Sequence, residues 1–473
     1  MREIPPSSTL PGKAKWLLAA IMSLIALVAV AYVIFGKDGQ AWEGGSPVLA
    51  ATEPASMAQD VLVKQAEAGD PKAQYELATR FRFGYLIPKD VEAGNRWMIK
   101  SANSGYMPAV ELIAENYLIG DNFKKDIRLH LEWTKKRALA GDLKSRIYLM
   151  RVYEKGLEDV FPDDVECLKW ARYAAASGDS SAQNLAGIMC QLGKGCERDF
   201  TEAARLFLLS AEAGNPSAQV NLGILYDRGL GVPHDSEVAA KWYEKSAKSG
   251  LASGLYRYGY ALMHGRGVEM DMQEGIRYVR RAAVAGDNNA MNSLGYYYHM
   301  GMGVEKNLTE AIRYFRLSAA AGNLVAQSNL GEAYRDGDGV IKDLEESVRW
   351  FRLSSEGGYG KAAYFLAGLY DAGKGVALDR EEASRLYLKA ALKGDLASQK
   401  LIAKRYEAGT DIDRNLTEAY AWHNIVAASG DEEATKLRSA IESSPGTNST
   451  WISGAQKRSR ELLKEIEANK AKK

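Results

Sequence analysis

Residues 218–253 read AQVNLGILYDRGLGVPHDSEVAAKWYEKSAKSGLAS, and the spacing within this stretch decides the fold. Ala218, Leu222, Leu225 and Tyr226 recur at helical intervals, which predicts an amphipathic helix. Gly229-Leu230-Gly231 ends it, because glycine takes the left-handed conformation that closes a helix. Asp235 starts a second helix, with Ala239, Trp242, Tyr243 and Ala247 as its apolar stripe. Gly250 ends that helix and opens the next unit.

Outward from this stretch, Gly250 belongs to a ladder with a 36-residue step: Gly69, Gly105, Gly141, Gly178, Gly214, Gly250, Gly286, Gly322, Gly358, Gly394 and Gly430. Only the step from Gly141 to Gly178 is longer, by one residue. So strict a period predicts an array of stacked modules, with function on an extended surface and not in one deep pocket. Other columns keep the same register. The capping column is Asp90, Asp126, Asp163, Asp199, Asp235, Asp271, Asn307, Asp343, Asp379 and Asn415. Asp and Asn accept the free amide hydrogens of a helix N-terminus. In seven of these ten, Glu follows three residues later, the pattern of a capping box. The large apolar column of the second helix is Trp97, Trp133, Trp170, Leu206, Trp242, Tyr278, Tyr314, Trp350, Leu386 and Trp422.

The pattern A-x3-L-G-x2-Y-x2-G-x-G-V-x3-D-x3-A-x2-W-x4-A-x2-G resembles the Sel1-like repeat of the tetratricopeptide superfamily, and the units from Ala218 and Ala326 follow it almost throughout. Ten units are counted, from Ala73, Ala109, Ser145, Ala182, Ala218, Gly254, Ala290, Ala326, Ala362 and Ser398. The resemblance implies an all-α, right-handed solenoid of helix pairs whose first helices line a concave face. It also implies a non-enzymatic role in assembling other proteins, with bacterial members often exported or membrane-linked. The expected organisation is a solenoid over 59–433 with capping helices over 434–473. The first three units depart from the pattern: Gly84, Gly120 and Gly156 stand alone where later units carry Gly-x-Gly.

Before the array, residues 16–35 read WLLAAIMSLIALVAVAYVIF, uncharged and long enough to cross a bilayer as a helix. Arg2, Lys13 and Lys15 precede it, so residues 1–15 are expected in the cytoplasm and the repeats outside it, in the periplasm of a bacterium. The competing reading is a cleaved signal peptide ending at Ala29-Val30-Ala31. Residues 36–58, rich in Gly, Ala, Ser and Pro, are expected as a flexible linker. A net charge of +1 favours neither nucleic acid nor an anionic surface.

Few residues suggest chemistry. The Gly-x-Gly motifs follow helices, whereas a dinucleotide fingerprint follows a strand. Cys190 and Cys196 take the places of Tyr226 and Val232, two changes within one repeat. This predicts contact and, in an oxidising compartment, a candidate disulfide; two small buried hydrophobes are the alternative. Cys167 takes the place of Ala203 and is expected as a buried free thiol. No zinc spacing joins the five histidines. Met263, His264, Met270, Met272, His299, Met300 and Met302 gather soft donors suited to copper, although core packing is the ordinary role of such methionines. Sequons at Asn307, Asn415 and Asn448 are weak, since the first two are expected helix caps. Tyr256, Tyr260 and Tyr296 occupy variable positions of first helices, and the latter two share a column on neighbouring units. They are the candidate partner-binding residues, with inter-repeat packing as the alternative.

The sequence therefore points to a membrane-anchored extracytoplasmic scaffold that binds protein partners in an envelope or secretory complex, with no cofactor and no metal. The alternatives are a glycan- or polymer-binding module in polysaccharide export or wall remodelling, or a secreted effector that binds a host protein.

Overall fold

The computed structural model describes residues 59–471, which form helices and short loops with one isolated bridge between Leu157 and Val160. The expected segments 1–15, 16–35 and 36–58 lie outside the described residues. No helix among the described residues is long and apolar enough to cross a membrane.

The chain divides into two compact units between Asp199 and Phe200. The first holds α1 (Gln59–Glu67), α2 (Pro71–Phe83), α3 (Val91–Asn103), α4 (Met107–Ile119), α5 (Ile127–Leu139), α6 (Leu143–Lys155), α7 (Asp164–Ala176) and α8 (Ser180–Leu192). The second begins with α9 (Phe200–Glu212), α10 (Pro216–Arg228), α11 (Ser236–Lys248), α12 (Ala252–His264), α13 (Met272–Val284), α14 (Asn288–Met300), α15 (Leu308–Ala320) and α16 (Leu324–Asp336). It continues with α17 (Leu344–Glu356), α18 (Gly360–Ala372), α19 (Arg380–Leu392), α20 (Leu396–Ala408), α21 (Leu416–Ala427), α22 (Glu432–Glu442) and α23 (Ser449–Ala471). Each unit is a solenoid of stacked helix pairs, and every helix from Pro71 to Ala408 is 13 residues long.

The ladder glycines close the second helices. At Gly322 (φ +83°), its N–H bonds the Ala319 carbonyl and the next N–H, of Asn323, bonds that of Ser318. This is a Schellman closure. Asn323 then turns outward and its side chain accepts the Ala326 N–H at 3.0 Å, capping α16. One residue thus ends one helix and starts the next. Asp70, Asp142, Asp179, Asn215, Asp287, Asp395 and Asp431 repeat this first-helix cap, a column the sequence reading missed.

The expected second-helix caps also bond as caps, with Asp235 accepting from Val238 and Asp343 from Glu346, both at 2.9 Å. The capping box, however, is only half formed. The cap's own N–H goes to a first-helix carbonyl, as from Asp235 to Tyr226 (3.0 Å) and from Asp343 to Tyr334 (2.9 Å). The glutamate is left for the basic residue three positions on, as in Glu346–Arg349 (3.1 Å).

The core is the face shared by successive helices: Ala218, Leu222, Leu225, Ala239 and Ala247 are all at most 1% exposed. Each buried leucine contributes about 2 kcal/mol. Two buried polar columns stitch the layers. Ser246 donates to the Pro216 carbonyl (2.9 Å) and Ser354 to that of Leu324 (2.7 Å), within a pair. Gln219 donates to the Ala211 carbonyl (3.2 Å) and Gln399 to that of Ala391 (3.1 Å), between pairs. The aromatic column is less uniform than expected. Trp170 and Trp422 are fully buried, whereas Trp97 and Trp242 are half-buried beneath Lys100 and Lys245, whose ammonium groups lie 4.1 and 4.0 Å from the rings.

The second glycine of Gly-x-Gly has a separate task. Gly231 (φ +68°) lies so close to the first turn of α9 that a Cβ there would come within 2.2 Å of the Phe200 carbonyl. Where this glycine is missing, the backbone stays left-handed: Leu86, Asn122, Glu158 and Asp411 have φ of 63°, 60°, 49° and 64°. They are the only non-glycine residues with positive φ among the described residues. Gly250 (φ +80°), by contrast, has open space around its Cα. Gly231→Ala should therefore cost about 2–4 kcal/mol, from left-handed strain and overpacking together. Gly250→Asn should cost less than about 1 kcal/mol, since Asn tolerates this conformation. Denaturant midpoints of the two variants check the order.

His130 supplies a pH dependence. It is buried on α5, with Nδ1 2.8 Å from the Ala114 carbonyl and Nε2 3.1 Å from the Tyr148 hydroxyl. Burial lowers its pKa from 6.5, the Ala114 bond opposes this, and the nearby Arg137 charge adds to the lowering. The unfolded chain binds this proton more readily, so the contribution is full above about pH 6.5 and is lost as pH falls toward the folded value. His130→Asn should flatten the fall in melting temperature between about pH 7 and pH 5.

Candidate functional site

The tyrosines singled out from the sequence lie on α12 and α14, successive first helices of the second unit. The structure divides them by role. The half-buried Tyr256 packs against the core around Leu255, Leu294 and Tyr297, and its hydroxyl meets Ser293 Oγ on α14 at 3.1 Å. Burial, the first cause, raises its pKa. Tyr256 is therefore a packing residue. Asn292 repeats the connection one unit on, its Oδ1 accepting from Asn329 at 3.0 Å.

Tyr260 and Tyr296 remain available. The Tyr260 ring stacks on His264, with centroids 4.0 Å apart and planes inclined by 26°. Tyr296 is 46% exposed and meets Tyr297 edge-on at 6.4 Å. Neither hydroxyl has a hydrogen-bond partner among the described residues. Tyr297 is buried beneath them. Burial, then the Tyr256 phenol, push its pKa up to about 12 against the bond from Ser293, and ring contacts of 6.4 Å join Tyr256 to Tyr260 and Tyr296 to Tyr297. Within the second unit, side-chain bonds also cross from one repeat to the next: Arg266 donates to Asp227 at 3.1 Å, and His299 Nε2 lies 3.3 Å from Asp338 Oδ2.

The soft-donor cluster does not assemble. Met263 is buried in the core and Met272 packs against it. His264 Nδ1 bonds the Tyr260 carbonyl at 2.9 Å, and His299 faces Asp338. Of the cluster, Met270, Met300, Met302 and His264 are exposed. The ordinary packing role therefore accounts for the buried methionines. No group of three His, Cys, Asp or Glu side chains is placed to hold a metal among the described residues. Asn307, Asn415 and Asn448 all cap helices, Asn448 accepting from the Trp451 N–H at 2.9 Å.

In the first unit, Cys190 near the end of α8 is buried and Cys196 in the following loop is half-buried, with their sulfurs 4.0 Å apart as free thiols. Burial, then Cys196, raises the pKa of Cys190, while the Arg172 guanidinium pulls the other way. Burial pushes Cys167 to about 11.

The Sel1 repeat family model matches residues 71–106, 151–179, 180–215, 216–251, 252–287, 288–323, 324–359, 360–395 and 396–431. The count is thus nine where the spacing suggested ten. The unmatched stretch contains α4 and α5, a pair of the usual length whose loop carries Gly120 and Asn122 where Gly-x-Gly would stand. A solved protective antigen of uropathogenic Escherichia coli strains, displaying an SLR fold, is 28% identical and aligns with 87% of this chain and 95% of its own, with a TM-score of 0.43. A Sel1 repeat protein from Oxalobacter formigenes is 26% identical over 68% of this chain and 100% of its own, with a TM-score of 0.49. The chitin synthase regulator SKT5 of Saccharomyces cerevisiae is 33% identical over 135 residues, which are 28% of this chain; the chain spans 19% of that relative's length. Nine matched copies cover well over half of its residues, so the chain belongs to the Sel1 repeat family, whose members mediate protein–protein interactions.

Proposed function

We propose that this protein is a non-enzymatic scaffold that captures a protein partner on the Tyr260–Tyr296 face of its second unit. One observation carries this reading: the exposed ring of Tyr296 and the half-buried ring of Tyr260, both with unpartnered hydroxyls, occupy one column on adjacent repeats, each set against an aromatic neighbour. Tyrosine anchors a partner well, because it buries a large ring and places one polar group at little cost in side-chain entropy. In the same proposal, residues 16–35 hold the chain at a membrane and the repeats work outside the cytoplasm. The uncharged run and the basic residues before it support this. The stretch related to a chitin synthase regulator favours a partner that is itself an enzyme of envelope or wall synthesis.

Affinity purification from solubilised membranes tests the reading. Wild-type chain should retain a defined protein partner, and the Tyr260→Ala/Tyr296→Ala double variant should bind it about 30-fold more weakly, as expected for loss of about 2 kcal/mol at a hot spot. Retention on polysaccharide without a protein partner would transfer the face to the glycan alternative. Melting temperatures separate binding from folding. The double variant should melt with the wild type, whereas Tyr256→Phe should lose about 1 kcal/mol through its bond to Ser293. A destabilised double variant would return Tyr260 and Tyr296 to the core.

A further inference from the structure

Arginine–tyrosine bonds recur with an 18-residue step in the second unit. The guanidinium of Arg280 donates to the Tyr298 hydroxyl at 3.1 Å, Arg316 to Tyr334 at 3.0 Å, and Arg352 to Tyr370 at 2.8 Å. Each joins a second helix to the first helix that follows it, at the position of Tyr226. The first unit repeats the step from Arg172 on α7 to position 190 on α8, but the acceptor is a thiol: Arg172 Nη2 lies 3.8 Å from Cys190 Sγ. Cys196, in the following loop, stands beside Cys190, 4.0 Å from sulfur to sulfur. A cation that elsewhere holds a hydroxyl here holds one of two adjacent sulfurs. The third cysteine, Cys167, is buried on α7.

We propose that Cys190 and Cys196 form a reversible dithiol–disulfide site, oxidised by exchange with an external disulfide, with Arg172 positioning Cys190 for ring closure. Cys196 is the more accessible sulfur and reacts first. Its thiolate attacks one sulfur of R–S–S–R; that bond breaks, RS⁻ leaves, and a mixed disulfide forms on Cys196. The Cys190 thiolate, facing the Arg172 guanidinium, then attacks Cys196 Sγ and expels the second RS⁻. The cysteine pair loses two electrons, R–S–S–R gains them, and the two protons shed by the cysteines leave on two molecules of RSH. The two sulfurs begin 4.0 Å apart and close to a bond of about 2.05 Å. The product ties the last turn of α8 to the loop whose Gly195 packs against the Asp164 carbonyl. The redox state therefore sets how firmly this loop is held. The site does not depend on the partner-binding reading of Tyr260 and Tyr296.

The full chain is reduced and then exposed to oxidised glutathione as the probe. Samples are quenched, alkylated in denaturant and read by intact mass and peptide mapping. Two of the three thiols should be lost, with a Cys190–Cys196 linked peptide and Cys167 alkylated. Three alkylated cysteines, or glutathione retained on Cys196 without a linked peptide, would overturn the site. Cys190→Ser should trap glutathione on Cys196, and an unmodified Cys196 in that variant refutes the order of attack. Arg172→Leu should slow ring closure about tenfold at about pH 7, because the buried Cys190 thiol ionises less readily without the guanidinium beside it. Arg172→Lys should restore most of the rate. Closure in Arg172→Leu as fast as in the wild type removes Arg172 from the mechanism. Oxidation should raise the melting temperature of the wild type by several degrees and leave Cys196→Ala unmoved; an equal shift in both overturns the proposed closure.

Discussion

Backbone pressed against backbone is the contact on which the array depends. At Gly231 the loop of one repeat lies against the first turn of α9, the second helix of the repeat before it, with no room for a single extra carbon. Gly195 against Asp164 and Gly267 against Ser236 repeat the approach. A close-packed interior feels a change of even one methylene, and a contact between backbones has no side chain that could rotate away. In the repeats around Gly195, Gly231 and Gly267 it therefore holds the distance between neighbouring pairs. Within it the cap N–H reaches back to the carbonyl nine positions earlier, and the Gln and Ser columns stitch layer to layer. The one inserted residue sits where it does least harm. The 156–163 loop absorbs it through the Leu157–Val160 bridge, and Asp163 still bonds the Tyr153 carbonyl at 2.8 Å.

The architecture was legible because each element is written in local chemistry repeated many times. The ladder glycines, the Asp and Asn caps and the alanine positions each carry a physical requirement of their own. What escaped was long-range or reciprocal. The Glu column resembles half of a capping box, yet its partner N–H is claimed by a carbonyl on the other helix, a choice that only the folded pair reveals. The first-helix caps at Asp287 and Asn323 were overlooked because they directly follow a ladder glycine, where a turn already accounted for them. The role of the second glycine is set by its neighbour in the preceding repeat, which local spacing does not encode.

The candidate face shows the same division. Its location was readable, because Tyr256, Tyr260 and Tyr296 depart from the repeat pattern on adjacent helices. Their separate roles were not, because the bond from Tyr256 to Ser293 spans 37 residues and depends on how α12 meets α14. The soft-donor cluster failed for a related reason: spacing brought residues to one region, but helix phase turned Met263 into the core, while Met270 lies exposed in the loop before α13.

The four left-handed residues that are not glycine carry a consequence for how the protein comes apart. Leu86, Asn122 and Glu158 mark the first three loops, and Asp411 marks the last loop of the matched array; every loop between Gly193 and Gly375 keeps both glycines. Each such residue stores about 1 kcal/mol of backbone strain. In a linear array every repeat answers only to its neighbours, so the strain remains where it is placed. Amide hydrogens in these outer repeats exchange through openings that cost less than those of the glycine-paired middle, and the array frays from its ends inward.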